Sequence, residues 1–146
     1  LMFEYRGQRF LYTSDANDFQ ILEGLHEAGY LDKEGNVRVH LLHIPHYGSD
    51  LNVSEEFFKR VKADEYIITG DGKFKNPETT TLEMLTTARG SEDYKLQFAH
   101  RVGREDLGIR LDQFWESSLG SRSYRRIFRP PDEQSLIVNL LDPVRY

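Results

Sequence analysis

The chain has 146 residues, 29% of them charged, a formal net charge of −5 and no cysteine. The missing cysteines exclude a disulfide framework, a thiolate metal centre and a cysteine nucleophile, and no apolar run reaches the ~20 residues of a membrane span. The length suits one ordinary domain, and net acidity argues against wholesale electrostatic capture of nucleic acid.

Met2 to Thr13 reads as a hairpin, with Phe3, Tyr5, Phe10 and Tyr12 alternating with polar residues around an Arg6-Gly7-Gln8 turn. Asn17 to Gly29 has helical spacing, with Phe19, Leu22 and Leu25 on one face, Asp15 or Asn17 as its cap and Gly29 past its end. Val37 to Ile44 predicts a strand that loses alternation at Leu41-Leu42, as a strand covered on both faces does. Pro45 ends it, and His46 to Asp50 form a loop. Ser54 caps a short helix whose buried side is Phe57, Phe58 and Val61, and Glu65 to Thr69 form the next strand. Asn76-Pro77 turns the chain into a Thr-started helix carrying Leu82, Met84 and Leu85. Tyr94 to His100 and Ser135 to Leu141 read as strands, and residues 101–134 carry the weakest signal. Strands alternating with helices after an opening hairpin predict an α/β layer arrangement with one mixed sheet.

Sites in such sheets lie in the loops beyond the strand ends. Asp15 sits in one such loop as a hard oxygen donor able to hold or bridge metal ions; its plainer role is a helix cap. His46 sits in another, where a neutral imidazole is a common metal donor and Gly48 keeps the backbone close. Regular alternation would turn His40 and His46 to one side and His43 to the other, so His40 and His43 keep a structural reading. Catalytic zinc needs three protein donors and an open position, and only His26 and His100 remain to be counted. Further on, Arg122, Arg125, Arg126 and Arg129 form a basic strip that suits phosphate, or else a solvated arm.

The runs Arg9-Phe-Leu-Tyr-Thr-Ser-Asp15-Ala and Leu42-His-Ile-Pro-His46-Tyr-Gly-Ser49 resemble the second half of metallo-β-lactamase-fold hydrolases. The resemblance continues through Ser54-Glu-Glu-Phe-Phe-Lys-Arg-Val-Lys-Ala63, Tyr66-Ile-Ile-Thr-Gly70, Asn76-Pro77 and Leu82-Glu-Met-Leu85, over roughly residues 3–90. The nearest subgroup is the hydrolase domain of competence-type DNA-uptake proteins and its free-standing relatives. This resemblance implies half of a four-layer αββα sandwich, one mixed sheet with helices on one face. Residues 1–90 would form the C-terminal half of the domain, and 91–146 its last strands and a basic extension. It implies Asp15 as the bridging aspartate, His46 as the last histidine donor and Ser49 beside the metals. Zinc is implied, with manganese as the alternative, two ions per complete site.

The implied reaction is hydrolysis of a phosphodiester or nucleotide-type substrate by a metal-bound hydroxide; the guanidinium groups of Arg122, Arg125 and Arg126, outside the resemblance, are compatible with such a substrate. Ser14, Tyr47 and Asn76 depart from the subgroup, where glycine and two histidines stand. The His-x-His-x-Asp-His cluster of the first half has no counterpart here. The chain therefore reads as part of a longer or split protein, inactive alone, whose partner is the missing N-terminal half or another subunit. A sheet with helices on one face leaves an apolar patch that needs such a second sheet. The rival is a non-catalytic module of the same fold that docks a protein or nucleic acid. The absence of cysteine and of a leader points to the cytoplasm, with no membrane partner.

Overall fold

The computed structural model describes residues 1–117 and 124–139. Met2–Tyr5 (β1) and Gln8–Leu11 (β2) pair antiparallel across Arg6 and Gly7. Both turn residues have positive φ, 49° and 77°, which matches the right-handed twist of a two-residue hairpin. Then follow Asp18–Glu27 (α1), Val37–His43 (β3), Glu55–Arg60 (α2), Val61–Ile68 (β4), Thr79–Arg89 (α3), Lys95–Phe98 (β5), Leu107–Glu116 (α4) and Arg125–Phe128 (β6). The six strands lie in sequence order in one sheet, parallel from β2 to β6. The fold is α/β with a mixed sheet, as the alternating pattern predicts.

All four helices bury their apolar residues against one face of that sheet. Ile21 and Leu25 of α1, Phe57 and Phe58 of α2, Leu82 and Leu85 of α3, and Leu111 and Phe114 of α4 share one core with Leu11, Leu42, Tyr66, Leu96 and Phe98. Consecutive parallel strands joined by right-handed crossovers give that one-sided arrangement. Inside the core, the Arg89 side chain is fully buried and donates to the Ala63 carbonyl and, at 2.6 Å, to the Tyr66 hydroxyl.

The inward positions do not alternate regularly. They run Val37, Val39, Leu42, Ile44 on β3 and its exit, and Val61, Ala63, Tyr66, Ile68 on β4. Both strands change phase together, so their pairing of Leu41 with Glu65 and Leu42 with Tyr66 is kept. Leu41 is buried on the far face and Leu42 on the near one, as a strand shielded on both sides requires. The predicted second helix loses Val61, which begins β4 directly.

Three expectations need correction. Residues 135–139 of the expected last strand are not in a strand, and 140–141 lie outside the described residues. That apolar stretch has the composition of a strand, but residues 135–139 pair with none of the described strands, and a strand exists only by pairing. The stretch with the weakest signal instead supplies α4 and β6. Finally, the far face is not uniformly apolar and wet. Its centre holds Glu65, which accepts from Lys95 Nζ at 2.7 Å and from Gln97 Nε2, with all three side chains buried. Apolar exposure on that face is concentrated on the hairpin, at Phe3, Tyr5 and Tyr12.

Candidate functional site

The loops following β2, β3, β4 and β5 emerge on one rim of the sheet because those strands are parallel and adjacent. Asp15 lies in the first of them. Asn17 is the cap of α1: its side chain accepts the Gln20 N–H at 3.0 Å, and the Gln20 side chain accepts the Asn17 N–H at 3.2 Å. Asp15 is thereby released from capping. Its exposed carboxylate makes no hydrogen bond or ion pair among the described residues.

His46 lies across from it, half-buried, on backbone with φ 46° and ψ 49°. Two backbone anchors join the loops: the His46 N–H donates to the Ser14 carbonyl at 2.8 Å, and Asn52 Nδ2 donates to the Asp15 carbonyl at 3.2 Å. The second bond decides a tautomer. A carbonyl only accepts, so Asn52 must turn its amide nitrogen to Asp15 and its Oδ1 to His46 Nδ1, 2.8 Å away. Nδ1 is therefore the donor, and in the neutral imidazole Nε2 keeps a lone pair that can meet a ligand.

At the end of β3, between Thr13 after β2 and Thr69 after β4, stands His43, buried, with Nδ1 3.3 Å from Thr13 Oγ1 and Nε2 3.2 Å from Thr69 Oγ1. The Thr13 hydroxyl donates to the His43 carbonyl at 2.6 Å, so it accepts from Nδ1–H, and Nε2 accepts from Thr69. Burial holds the imidazole below its usual pKa, against the opposing pull of Asp15. His43 is the last residue of β3 and His46 lies in the turn that follows it, so both are at the rim. His40 is structural, its Nδ1 accepting the Arg9 N–H at 3.0 Å.

A cleft of about 390 Å³ adjoins His46, lined by Tyr47, Asp71, Lys73, Phe74 and His100 among others. Asp71 is held below the usual carboxylate range, chiefly by the Lys73 N–H it accepts at 2.9 Å, with Arg104 and His100 adding to the effect. The sequence carries a signal for this side of the rim: Thr13-Ser14-Asp15 and Thr69-Gly70-Asp71 repeat one Thr-x-Asp pattern at two strand ends. Asn76 donates its amide to the His46 carbonyl at 3.2 Å.

Other predicted residues stand elsewhere. Ser49 is buried and its hydroxyl is turned to Glu78 Oε2 and the Leu51 N–H, each at 3.4 Å, so it serves the loop. Arg125 and Arg126 begin β6, level with Lys95 and Leu96 at the start of β5, which is the end of the strands opposite the rim. As strand neighbours they point to opposite faces, and Arg126 lies 5.0 Å from the Trp115 ring on the helix side. They do not join Asp15 and His46. Arg122 lies outside the described residues.

Asp15 and His46 suit a divalent ion by donor chemistry, one carboxylate and one imidazole with a free lone pair. Among the described residues no group of three or more such side chains could hold one. Two donors fall short of the three that a catalytic zinc needs. Comparison with protein-family models, with curated proteins and with solved structures yields no match. Among the described residues no helix is long and apolar enough to cross a membrane.

Proposed function

We propose that this chain is a metal-donating lobe of a metallo-β-lactamase-fold hydrolase acting on a phosphodiester or nucleotide-type substrate. Asp15 and His46 would hold zinc, or manganese, together with donors from an N-terminal half or another subunit. The observation that carries this reading is the Asn52 bridge, which ties the Asp15 loop to His46 and makes Nδ1 the donor, so that Nε2 is the nitrogen open to a ligand. Metal ions bound there would supply Lewis acidity at near-neutral pH. The chain's own part is to position: Asn52 sets the His46 tautomer, and Thr13 and Thr69 fix His43 between the loops. With two donors, the chain by itself is expected to be inactive.

The test is metal analysis of the intact gene product, with hydrolysis of a simple phosphodiester in parallel. About two ions per protein are expected, lost together with turnover in Asp15→Ala and in His46→Ala. An intact protein that is folded and metal-free overturns the hydrolase and leaves the docking module, which the replacement of two subgroup histidines by Tyr47 and Asn76 also favours.

A further inference from the structure

We infer that the cleft beside His46 is a stacking subsite for the base of a nucleotide, with Tyr47 and Phe74 as its aromatic walls and Lys73 facing the attached phosphate. The inference deepens the hydrolase reading and rests on it for the phosphodiester. Phe74 is 74% exposed and Tyr47 50% exposed, although water disfavours both rings. Both also sit on left-handed backbone, at φ 55° and 60°. Non-glycine residues persist there only where the surroundings over-determine them, and such positions gather at ligand clamps.

The surroundings of Phe74 do so. Its N–H donates to Glu105 Oε1 at 3.1 Å. One Arg110 guanidinium nitrogen donates to the carbonyls of Lys75 and Pro77 at 2.9 and 3.0 Å. Gly72, at φ +94°, donates to the Asn76 carbonyl at 2.8 Å, and a Cβ there would lie 1.9 Å from the Arg104 carbonyl oxygen. The loop is locked with its phenyl ring turned outward, so it need not be ordered when a ligand arrives.

Charge and size agree with a nucleotide. Lys73 Nζ lies 4.9 Å from the centre of the Phe74 ring and makes no ion pair among the described residues, while its neighbour Asp71 faces Arg104 at 3.5 Å. An exposed aromatic ring with an ammonium over it that is in no ion pair among the described residues suits a flat ring that carries an anion, and every base offers a π-face for stacking. The cleft's volume of about 390 Å³ is in the usual range for small-molecule sites.

Equilibrium binding to the intact protein tests this, with adenosine 5′-monophosphate and a labelled oligothymidylate as probes and ribose 5-phosphate as the base-free control. Wild type should bind both base-bearing probes and prefer adenosine monophosphate to the control. Phe74→Ala and Tyr47→Ala should each weaken base-bearing probes by roughly tenfold or more, with Phe74→Trp restoring affinity. No binding by wild type, equal affinity for the base-free control, or unchanged binding in Phe74→Ala overturns the subsite. The hydrolase reading fails separately, through loss of metal in the intact protein. Circular dichroism of each variant separates lost binding from lost folding, and Phe74→Trp keeps the question answerable if an alanine variant unfolds.

Discussion

At the scale of the residue, His43 makes the rim sensitive to pH. Its neighbours are the Thr13 and Thr69 hydroxyls, the Tyr12 ring 4.7 Å away and the Asp15 carboxylate, and burial outweighs Asp15 in lowering its pKa from 6.5. In the unfolded chain the imidazole takes up its proton as pH falls through 6.5, while the folded chain resists until a lower pH. Between those two values the unfolded state binds more protons, so stability falls as pH falls, by at most about 1.4 kcal/mol per pH unit. Above pH 6.5 this contribution is fully present. Urea denaturation at pH 7.5 and 5.5 should show a larger loss in wild type than in His43→Gln, whose amide does not titrate. Equal losses in the two proteins would mean that His43 is not the proton acceptor.

At the scale of the element, β4 and β5 are joined on their far face by Glu65, Lys95 and Gln97, with side-chain exposures of 6% for Glu65 and 8% for Lys95. Removing one partner strands a desolvated charge, so Lys95→Leu or Glu65→Leu alone should cost about 3–5 kcal/mol in urea denaturation. The double variant Glu65→Leu/Lys95→Leu should cost less than either single change, because no unpaired ion is left. Additive losses would show that the pair is wet and uncoupled. This ion pair marks the limit of what the sequence tells. The α1 cap at Asn17, the Ser54 cap of α2 and the hairpin turn are legible because each is a local pattern with a local cause. The joint phase change of β3 and β4 is not, since it depends on two strands slipping together. Nor is β6, whose RRIF has little hydrophobic alternation and becomes a strand because β5 offers it an edge. Asp15 and His46 are readable as strand-end residues, whereas Asn52, which relates them, is an ordinary loop residue until the fold brings it between them.

At the scale of the whole molecule, the one-sided placement of the helices leaves the hairpin as the uncovered corner of the sheet. Phe3 stacks on Phe10 at 5.7 Å between ring centres, Phe10 meets Tyr12 at 6.3 Å, and Tyr12 leans on His43, so an aromatic row runs from the edge strand to the rim. Phe3, Tyr5 and Tyr12 keep 50%, 67% and 42% of their surface in water, which is the area a second sheet packed at about 10 Å would bury. The buried ion pair at the centre of that face narrows the need for cover to this corner. The chain alone should therefore self-associate as its concentration rises in sedimentation velocity, and Phe3→Ser/Tyr5→Ser/Tyr12→Ser should stay monomeric over the same range. Exposed side chains contribute little to stability, so the triple variant should unfold within about 1–2 kcal/mol of wild type, the loss being mostly the Phe3–Phe10 stack. A wild-type chain that stays monomeric at every concentration would show that the hairpin face is content in water, and the case for a covering sheet would lose its physical basis.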